Sequence, residues 1–342
     1  MDYRYWDKAY LSSYSLDTKI FDQYNFTVMD ASPIRSVFLL TTSEGHKIFK
    51  KIDYSLEELM FIYDALEEVR KQYPYIIQFK KTLEGKPYIN YNGDLYVVMD
   101  LIEGRECIFE NPIDLKKASI ALAKYHEAAR NVNFNNCVRN NNYKMITRFK
   151  SMIKDLENYL KIAQIHVNRS EFDKIFIENF EYYIGYAKSA LKQLVNSPYK
   201  SLCSQKKTLC HHDLAHHNII IGEDEKVYFI DFDYVLVDLP YHDLSNFIRK
   251  AAKSNNWSKE TYEIIINAYA GVNGITAEEE QVLYAYMLFP YDFYAIANCY
   301  YTKIKDWEEE EFFDKLKRKI SCREEREELL EYILKKITAS QQ

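Results

Sequence analysis

LCHHDLAHHNIIIGEDEKVYFIDFDYVLVDLPYHDLS, residues 209–245, is the stretch that decides how this chain is read. It sets His211, Asp213 and Asn218 in an H-x-D-x-x-x-x-N pattern and closes an apolar, β-branched run with Asp231. Phosphoryl transfer from ATP uses groups of these types in this order. One Asp sits by the acceptor hydroxyl, an Asn holds a second metal ion, and another Asp holds the metal that bridges the phosphates. Asn218 and Asp231 are 13 residues apart, room for a strand (217–221), a turn (222–225) and a strand (227–231). Such a hairpin folds the chain back and brings both metal ligands to one end. H-x-D alone is common; followed by a hairpin that ends in I-D-F it is a specific signal.

A rival chemistry competes for the same residues. His211, His212, His216 and His217 crowd the segment, and a helix would put His212 and His216 on one face, as in metal-binding helices. His212–Asp213 also resembles the H-D pair of metal-dependent phosphohydrolases. Those hydrolases are largely helical, whereas this segment runs straight into apolar strands. No H-E-x-x-H occurs, and Cys203 and Cys210 belong to no C-x-x-C, so a structural zinc site has weak support. The plainer reading of His212, His216 and His217 is polar loop residues near a charged ligand.

At 342 residues the chain can bury a large core and is expected to form two lobes rather than one. Its 45 basic and 51 acidic residues are balanced, with no basic tail or stripe, which argues against nucleic acid as the main partner. The first 17 residues lack the apolar core of a signal peptide, and no run reaches the roughly 18 apolar residues that span a bilayer. Six scattered cysteines point to reduced thiols and a cytoplasmic setting. The 31 tyrosines admit two explanations. With abundant Ile, Lys and Asn they fit the composition of an AT-rich genome; alternatively, surface tyrosines serve cross-linking or carbohydrate stacking.

Along the chain, residues 36–52 read as a hairpin around a Ser-Glu-Gly turn, and 55–73 as an amphipathic helix capped by Ser55 and ended by Pro74. Its stripe is Leu56, Leu59, Tyr63 and Leu66. Residues 75–81, 85–94 and 95–102 read as strands around an Asn-Gly turn at 92–93. The first hundred residues are thus β-β-α-β-β-β. The connector 102–112 carries Gly104 and Pro112 with little periodicity, and the lobe boundary is placed there: a β-rich N-terminal lobe over 1–102 and a helical C-terminal lobe over 103–342 with the catalytic loop and metal site. Residues 114–130 form one helix, 141–195 two long ones, and 241–338 return to helix after the 208–235 hairpins. The acidic run 306–313 reads as a solvated helix start.

A β-rich small lobe, a short hinge, and a helical large lobe with H-x-D-x4-N and I-D-F-D resembles the aminoglycoside phosphotransferase and choline kinase branch of the protein-kinase-like fold, an α+β class. Within that branch, FIDFDYVLVDLPYHDLS, the LAKYH helix and FPYDFYAIANCYY resemble the CotS group of spore-coat-associated proteins. The resemblance covers residues 20–335, and the 209–245 block is its specific part. It implies Asp213 as catalytic base, Asn218 and Asp231 as metal ligands, and His211 as a prop of the catalytic loop. Asp233 would add a carboxylate near the metals, and Asp243 would hydrogen-bond the catalytic loop. Lys50 matches the strand lysine on the α- and β-phosphates, with Lys51 as the alternative. Strand alternation favours Lys50, since Ile48, Lys50 and Ile52 share one face. An inward lysine needs a carboxylate; Glu57 and Glu58 are the candidates, Glu58 preferred. Both also suit the first turn of a helix without any ligand role. Met99, Asp100, Leu101 and Ile102 match the segment whose backbone reads adenine. One departure stands out. Where the phosphate-covering loop belongs, the chain reads MDASPIRS, with no glycine to let backbone N–H groups close on phosphate.

The implied activity is an ATP- and Mg2+-dependent kinase acting on a hydroxyl of a small molecule, a sugar or an amino-alcohol, in a sporulating cell. Tyr291, Phe293 and Tyr294 are candidates to stack on a sugar ring, with core packing the simpler role for most. The competing expectation is a kinase-like structural protein of the spore coat with little or no turnover, partnered by other coat proteins. Neither expectation involves a membrane.

Overall fold

The structure, a computed structural model, describes residues 18–133 and 137–339. The expectation for the first 17 residues lies outside them. The chain falls into two compact units: one takes in the residues up to Glu106 with Val132–Arg139 and His217–Asp233, the other Cys107–Asn131, Asn140–His216 and the chain from Tyr234.

In the first unit, strands β1 (Val28–Ile34), β2 (Val37–Thr42), β3 (Gly45–Ile52), β4 (Ile89–Tyr91) and β5 (Asp94–Asp100) form an antiparallel sheet of order β1-β2-β3-β5-β4. Asn92 and Gly93 both have positive φ, the left-handed turn that an Asn-Gly pair makes readily. Helix α1 (Leu56–Arg70) opens on a capping box between Ser55 and Glu58, and buries Leu59, Ile62, Tyr63, Leu66 and Val69. Leu56, expected on that stripe, is exposed.

Two readings of this unit are corrected. The glycine-free stretch is a strand, β1, joined to β2 by a two-residue turn in which Arg35 takes φ 52°. It went unread because nearly every residue of β1 is exposed, which leaves no alternation to detect. Residues 75–81 form no strand of the sheet. Their backbone is divided instead: Ile77 N–H donates to Phe229 O (3.2 Å), while Lys80 N–H donates to Val98 O (2.7 Å). The segment thereby ties the large sheet to a smaller one, in which β6 (Gly104–Glu106), β8 (Ile219–Gly222) and β9 (Val227–Phe229) run in the order β6-β8-β9. Gly104 is required there, since a Cβ on it would meet Ile221 O at 2.4 Å.

The second unit holds α2 (Pro112–Ala129), α3 (Met145–Ile165), α4 (Glu171–Asn196), α5 (Tyr199–Gln205), α6 (Pro240–Ser254), α7 (Lys259–Asn273), α8 (Ala277–Leu288), α9 (Tyr291–Thr302), α10 (Glu309–Ile320) and α11 (Arg323–Ala339), with a short pair of strands, β7 (Thr208–Cys210) and β10 (Leu236–Asp238). α8 is central, packed by α4, α6 and α11. It is buried over most of its surface, and so shows no amphipathic stripe. Many of the tyrosines are core residues: Tyr125, Tyr199, Tyr262, Tyr269 and Tyr286 are fully buried. All six cysteines are free thiols, and no helix among the described residues is long and apolar enough to cross a membrane.

On β3 the two faces separate packing from chemistry. Phe49 is wholly buried, stacked on Tyr96 (5.1 Å) and edge-on to Phe21 (5.1 Å), while its neighbour Lys50 points the other way. Phe49→Ala is expected to destabilise the first unit by about 3–5 kcal/mol, read as an earlier urea transition by circular dichroism.

Candidate active site

The first unit gathers Lys50, Asn218, Asp231 and Asp233. In the β8–β9 hairpin Ile219 pairs with Phe229, and Ile230 N–H donates to Asn218 O (3.0 Å). Asn218 and Asp231 therefore leave the hairpin at the same end. Asp231 has φ 61°, a left-handed conformation that Asp tolerates better than most residues. Lys50 Nζ lies 2.6 Å from Asp231 Oδ1 and 2.7 Å from Asp233 Oδ2. Burial pulls the Lys50 ammonium down, but the two carboxylates outweigh it and its pKa is raised. Lys51 turns to Asp94 instead, at 2.7 Å.

Neither Glu57 nor Glu58 pairs with Lys50 among the described residues. Glu58 closes the capping box with Ser55 and receives Arg139 Nε at 2.9 Å. Burial pushes its carboxyl up, yet the Ser55 N–H and Arg139 bring it below its ordinary value. Arg139 also donates to the backbone carbonyl of Asp233 and covers the Tyr54 ring (4.5 Å), whose hydroxyl reaches Asp233 Oδ1 at 3.3 Å. Helix α1 is thus tied to the Asp231–Asp233 segment through an arginine. Arg139 lies in an asparagine-rich loop with no periodicity, and nothing in the sequence marked it.

The expected adenine-reading segment is partly engaged. Asp100 N–H donates to Gln78 O (3.0 Å) and Leu101 N–H to His46 O (3.2 Å). The Asp100 carboxylate meets Lys47 at 2.9 Å. Met99 is buried against Lys50, Ile62 and Phe79 around a cavity of only ≈ 20 Å³, and Ile102 is half-buried.

The second unit carries Asp213. β7 delivers the chain to His211, and β10 delivers it to Asp238 and α6. In the first turn of α6 the buried Asp243 accepts from the backbone N–H groups of His211 (2.6 Å) and His212 (2.9 Å), the bond to the catalytic loop expected of it. His126 Nε2 approaches the same carboxylate at 3.1 Å, and its Nδ1 meets the Tyr269 hydroxyl at 2.8 Å. His211 accepts the Asp213 N–H at 3.2 Å. The Asp213 carboxylate itself is met by Lys250 of α6, Nζ to Oδ1 2.6 Å, a partner the sequence reading did not foresee.

Two clusters resemble metal sites. His126, Cys210 and Asp243 form one, but both imidazole nitrogens are already hydrogen-bonded, and burial pushes the Cys210 thiol well up, away from the thiolate a metal needs. His212, Asp238 and His242 form the other. Its imidazoles lie stacked 3.8 Å apart and 14° from parallel. Ring lone pairs lie in the ring planes, so two stacked rings cannot converge on one ion. The segment 212–215 is also not helical, and His216 sits in a 3-10 turn with His217 and Asn218. The shared helical face of His212 and His216 does not form.

Residues 17–333 match the family described as "Spore coat putative kinase YutH". The chain belongs to this family. It is 23% identical over 305 residues to spore coat protein S of Bacillus subtilis (strain 168), covering 87% of this chain and 86% of that protein. Among solved structures it is similar to an aminoglycoside phosphotransferase from Alicyclobacillus acidocaldarius (TM-score 0.82, 17% identity, 95% of this chain and 97% of that one). It is also similar to amicoumacin kinase hAmiN in complex with AMP-PNP, Ca2+ and its ligand Ami (TM-score 0.68, 13% identity, 94% and 96%). The fold is that of the protein-kinase-like phosphotransferases, with a β-rich N-terminal part and a mainly helical remainder.

Burial, helped by the His212 ring, lowers the His242 pKa from its ordinary 6.5 to about 4. Unfolded chains take up this proton near pH 6.5 and the folded protein only near 4, so stability is full above 6.5 and is lost as pH falls through that window. Asp238 and Asp243, both held below their ordinary values despite burial, act in the same direction at lower pH. The expected loss from His242 between pH 7 and pH 5 is on the order of 2 kcal/mol. Thermal unfolding against pH measures it, and His242→Phe should flatten the profile in that range.

Proposed function

We propose that this protein is an ATP- and Mg2+-dependent phosphotransferase acting on a hydroxyl of a small molecule, and that it is associated with the spore coat. The observation that carries the proposal is Lys50 held between Asp231 and Asp233 at 2.6 and 2.7 Å. The two carboxylates and the Asn218 amide oxygen, at one end of the β8–β9 hairpin, offer the oxygen donors that Mg2+ takes, with Lys50 beside them for phosphate. Lys50 is itself the cation there, so the carboxylates are already arranged around positive charge.

Bound ATP with Mg2+ would supply the transferable phosphoryl group and the charge that offsets its oxygens. Asp231 and Asn218 would hold the metal ions, and Asp233 would add a carboxylate. Asp213 would orient the acceptor hydroxyl and receive its proton. Lys250 fixes the direction of that carboxylate, while Asp243 fixes the loop that bears it. Lys50 would turn from Asp231 and Asp233 to the phosphates.

A second reading, a coat protein of the same fold with little turnover, is favoured by one feature. The glycine-free strand β1 and its hairpin stand where a pliant phosphate loop was expected, with Arg35 tied to Glu106 at 3.0 Å.

Calorimetric titration separates the two readings. Magnesium-dependent ATP binding is expected in the native protein and absent in Asp231→Ala. Asp213→Asn is expected to bind ATP normally but lower transfer to an acceptor about 10²–10⁴-fold. No nucleotide binding in the native protein would support the structural reading.

A further inference from the structure

In the second unit a cavity of ≈ 880 Å³ is walled by α6, α9, α10 and α11. Six basic side chains line it against two acidic ones, Asp292 and Glu325. Asp292 is already spoken for: Lys253 Nζ lies 2.6 Å and Lys319 Nζ 3.5 Å from its Oδ1. These lysines and Arg249 hold its carboxyl well below the usual range, against the push of burial. Glu325 is exposed.

Three of the lining residues are more than nine-tenths buried and keep a donor without an acceptor among the described residues: Arg249 Nε, Trp257 Nε1 and Arg326 Nη1. Arg249 lies over the Tyr291 ring at 4.4 Å, and burial lowers its pKa against the pull of Asp292, with which it makes no ion pair among the described residues. A cavity of this size, with aromatic walls and six basic side chains against two acidic ones, has the form of a site for a small anionic molecule.

Its place in the fold relates it to Asp213. Lys250, which holds the Asp213 carboxylate at 2.6 Å, is three residues from Lys253 on α6. Residues three apart are neighbours on a helix surface, so the cavity wall begins one turn from the lysine that meets Asp213.

Resting on the phosphotransferase reading, we propose that this cavity binds the acceptor, and that the acceptor is a hydroxyl compound bearing a phosphate or carboxylate group, held by Arg249, Lys253 and Lys319 with its ring against Tyr291 and Trp257. Transfer then forms a bond from an acceptor oxygen to the γ-phosphorus and breaks the bond from that phosphorus to the β,γ-bridging oxygen. The acceptor proton goes to Asp213, and ADP leaves.

Calorimetry with four probes tests the cavity: glucose 1-phosphate, glucuronate, glucose and glucosamine, with inorganic phosphate as a fifth arm. The two sugar anions are expected to bind at least tenfold more tightly than glucose, with glucosamine weakest. Arg249→Met should abolish the preference. Lys319→Met, at a less buried position, should weaken both anions about fivefold to tenfold, and keeps the test valid if Arg249→Met fails to fold. Glucose or glucosamine binding as tightly as the anions would overturn the proposal. So would anion binding that Lys319→Met leaves unchanged, no binding of any probe at tens of millimolar, or inorganic phosphate binding as tightly as glucose 1-phosphate. MgATP titrated into the same samples reports on the phosphotransferase reading separately. Loss of nucleotide binding with anion binding intact removes that reading and leaves an anion site; the reverse removes the acceptor assignment alone.

Discussion

Asp243 is withdrawn entirely from water, and a carboxylate in that position is tolerated only where its charge and its lone pairs are both met. Two backbone N–H groups and an imidazole meet them here. Because the N–H groups belong to His211 and His212, the loop that presents Asp213 is bonded to the first turn of α6. Tyr269 orients His126 from α7. The Asp213 loop is therefore positioned by a hydrogen-bonded network that ties it to three helices, α2, α6 and α7. Removing one member of such a network strands a buried charge, which typically costs 3–5 kcal/mol, so the network has little freedom to vary independently of the loop.

The cluster around Lys50 has a different logic. One ammonium serves two carboxylates, which leaves a net negative charge in partly exposed surroundings. That is a poor arrangement for stability alone, since neutralising one acid would suffice, and a good one for attracting a divalent cation. Arg139 contributes differently: it joins Glu58 to a backbone carbonyl and so places α1 without using the lysine. Holding the helix and pairing with the two carboxylates thus fall to separate cations, Arg139 and Lys50.

These features differ in how far sequence reveals them. The hairpin of 217–231 was legible because its turn, its β-branched strands and its terminal Asp are local, and Lys50 was legible because alternation along one strand separates it from Lys51. Asp243 was expected because it matches a later acidic position of the family pattern, just before Leu244. What escaped were interactions that depend on chain segments far apart in sequence. Arg139 meets Glu58 across 81 residues, and Lys250 meets Asp213 across 37. The expected Lys50–Glu58 pair failed because a capping box and an arginine already occupied the glutamate. Strand β1 escaped because it is exposed on both faces, and residues 75–81 were misread because a divided backbone looks, in sequence, like an ordinary strand.

Charge bears on the two acceptor classes that the sequence left open. Two like unit charges 6 Å apart repel by about 3 kcal/mol at an effective dielectric near 20, so an ammonium group brought among the side chains of α6 and α10 would be opposed by several such interactions at once. Asp292 cannot offset them, because two lysines already claim it. A neutral ring would find the aromatic walls and leave the excess of basic over acidic side chains unanswered. An anionic group would answer that excess. On the proposed assignment, the same positive wall that would admit such a molecule would disfavour an amino-alcohol, and specificity of this kind needs no contact with the hydroxyl that reacts.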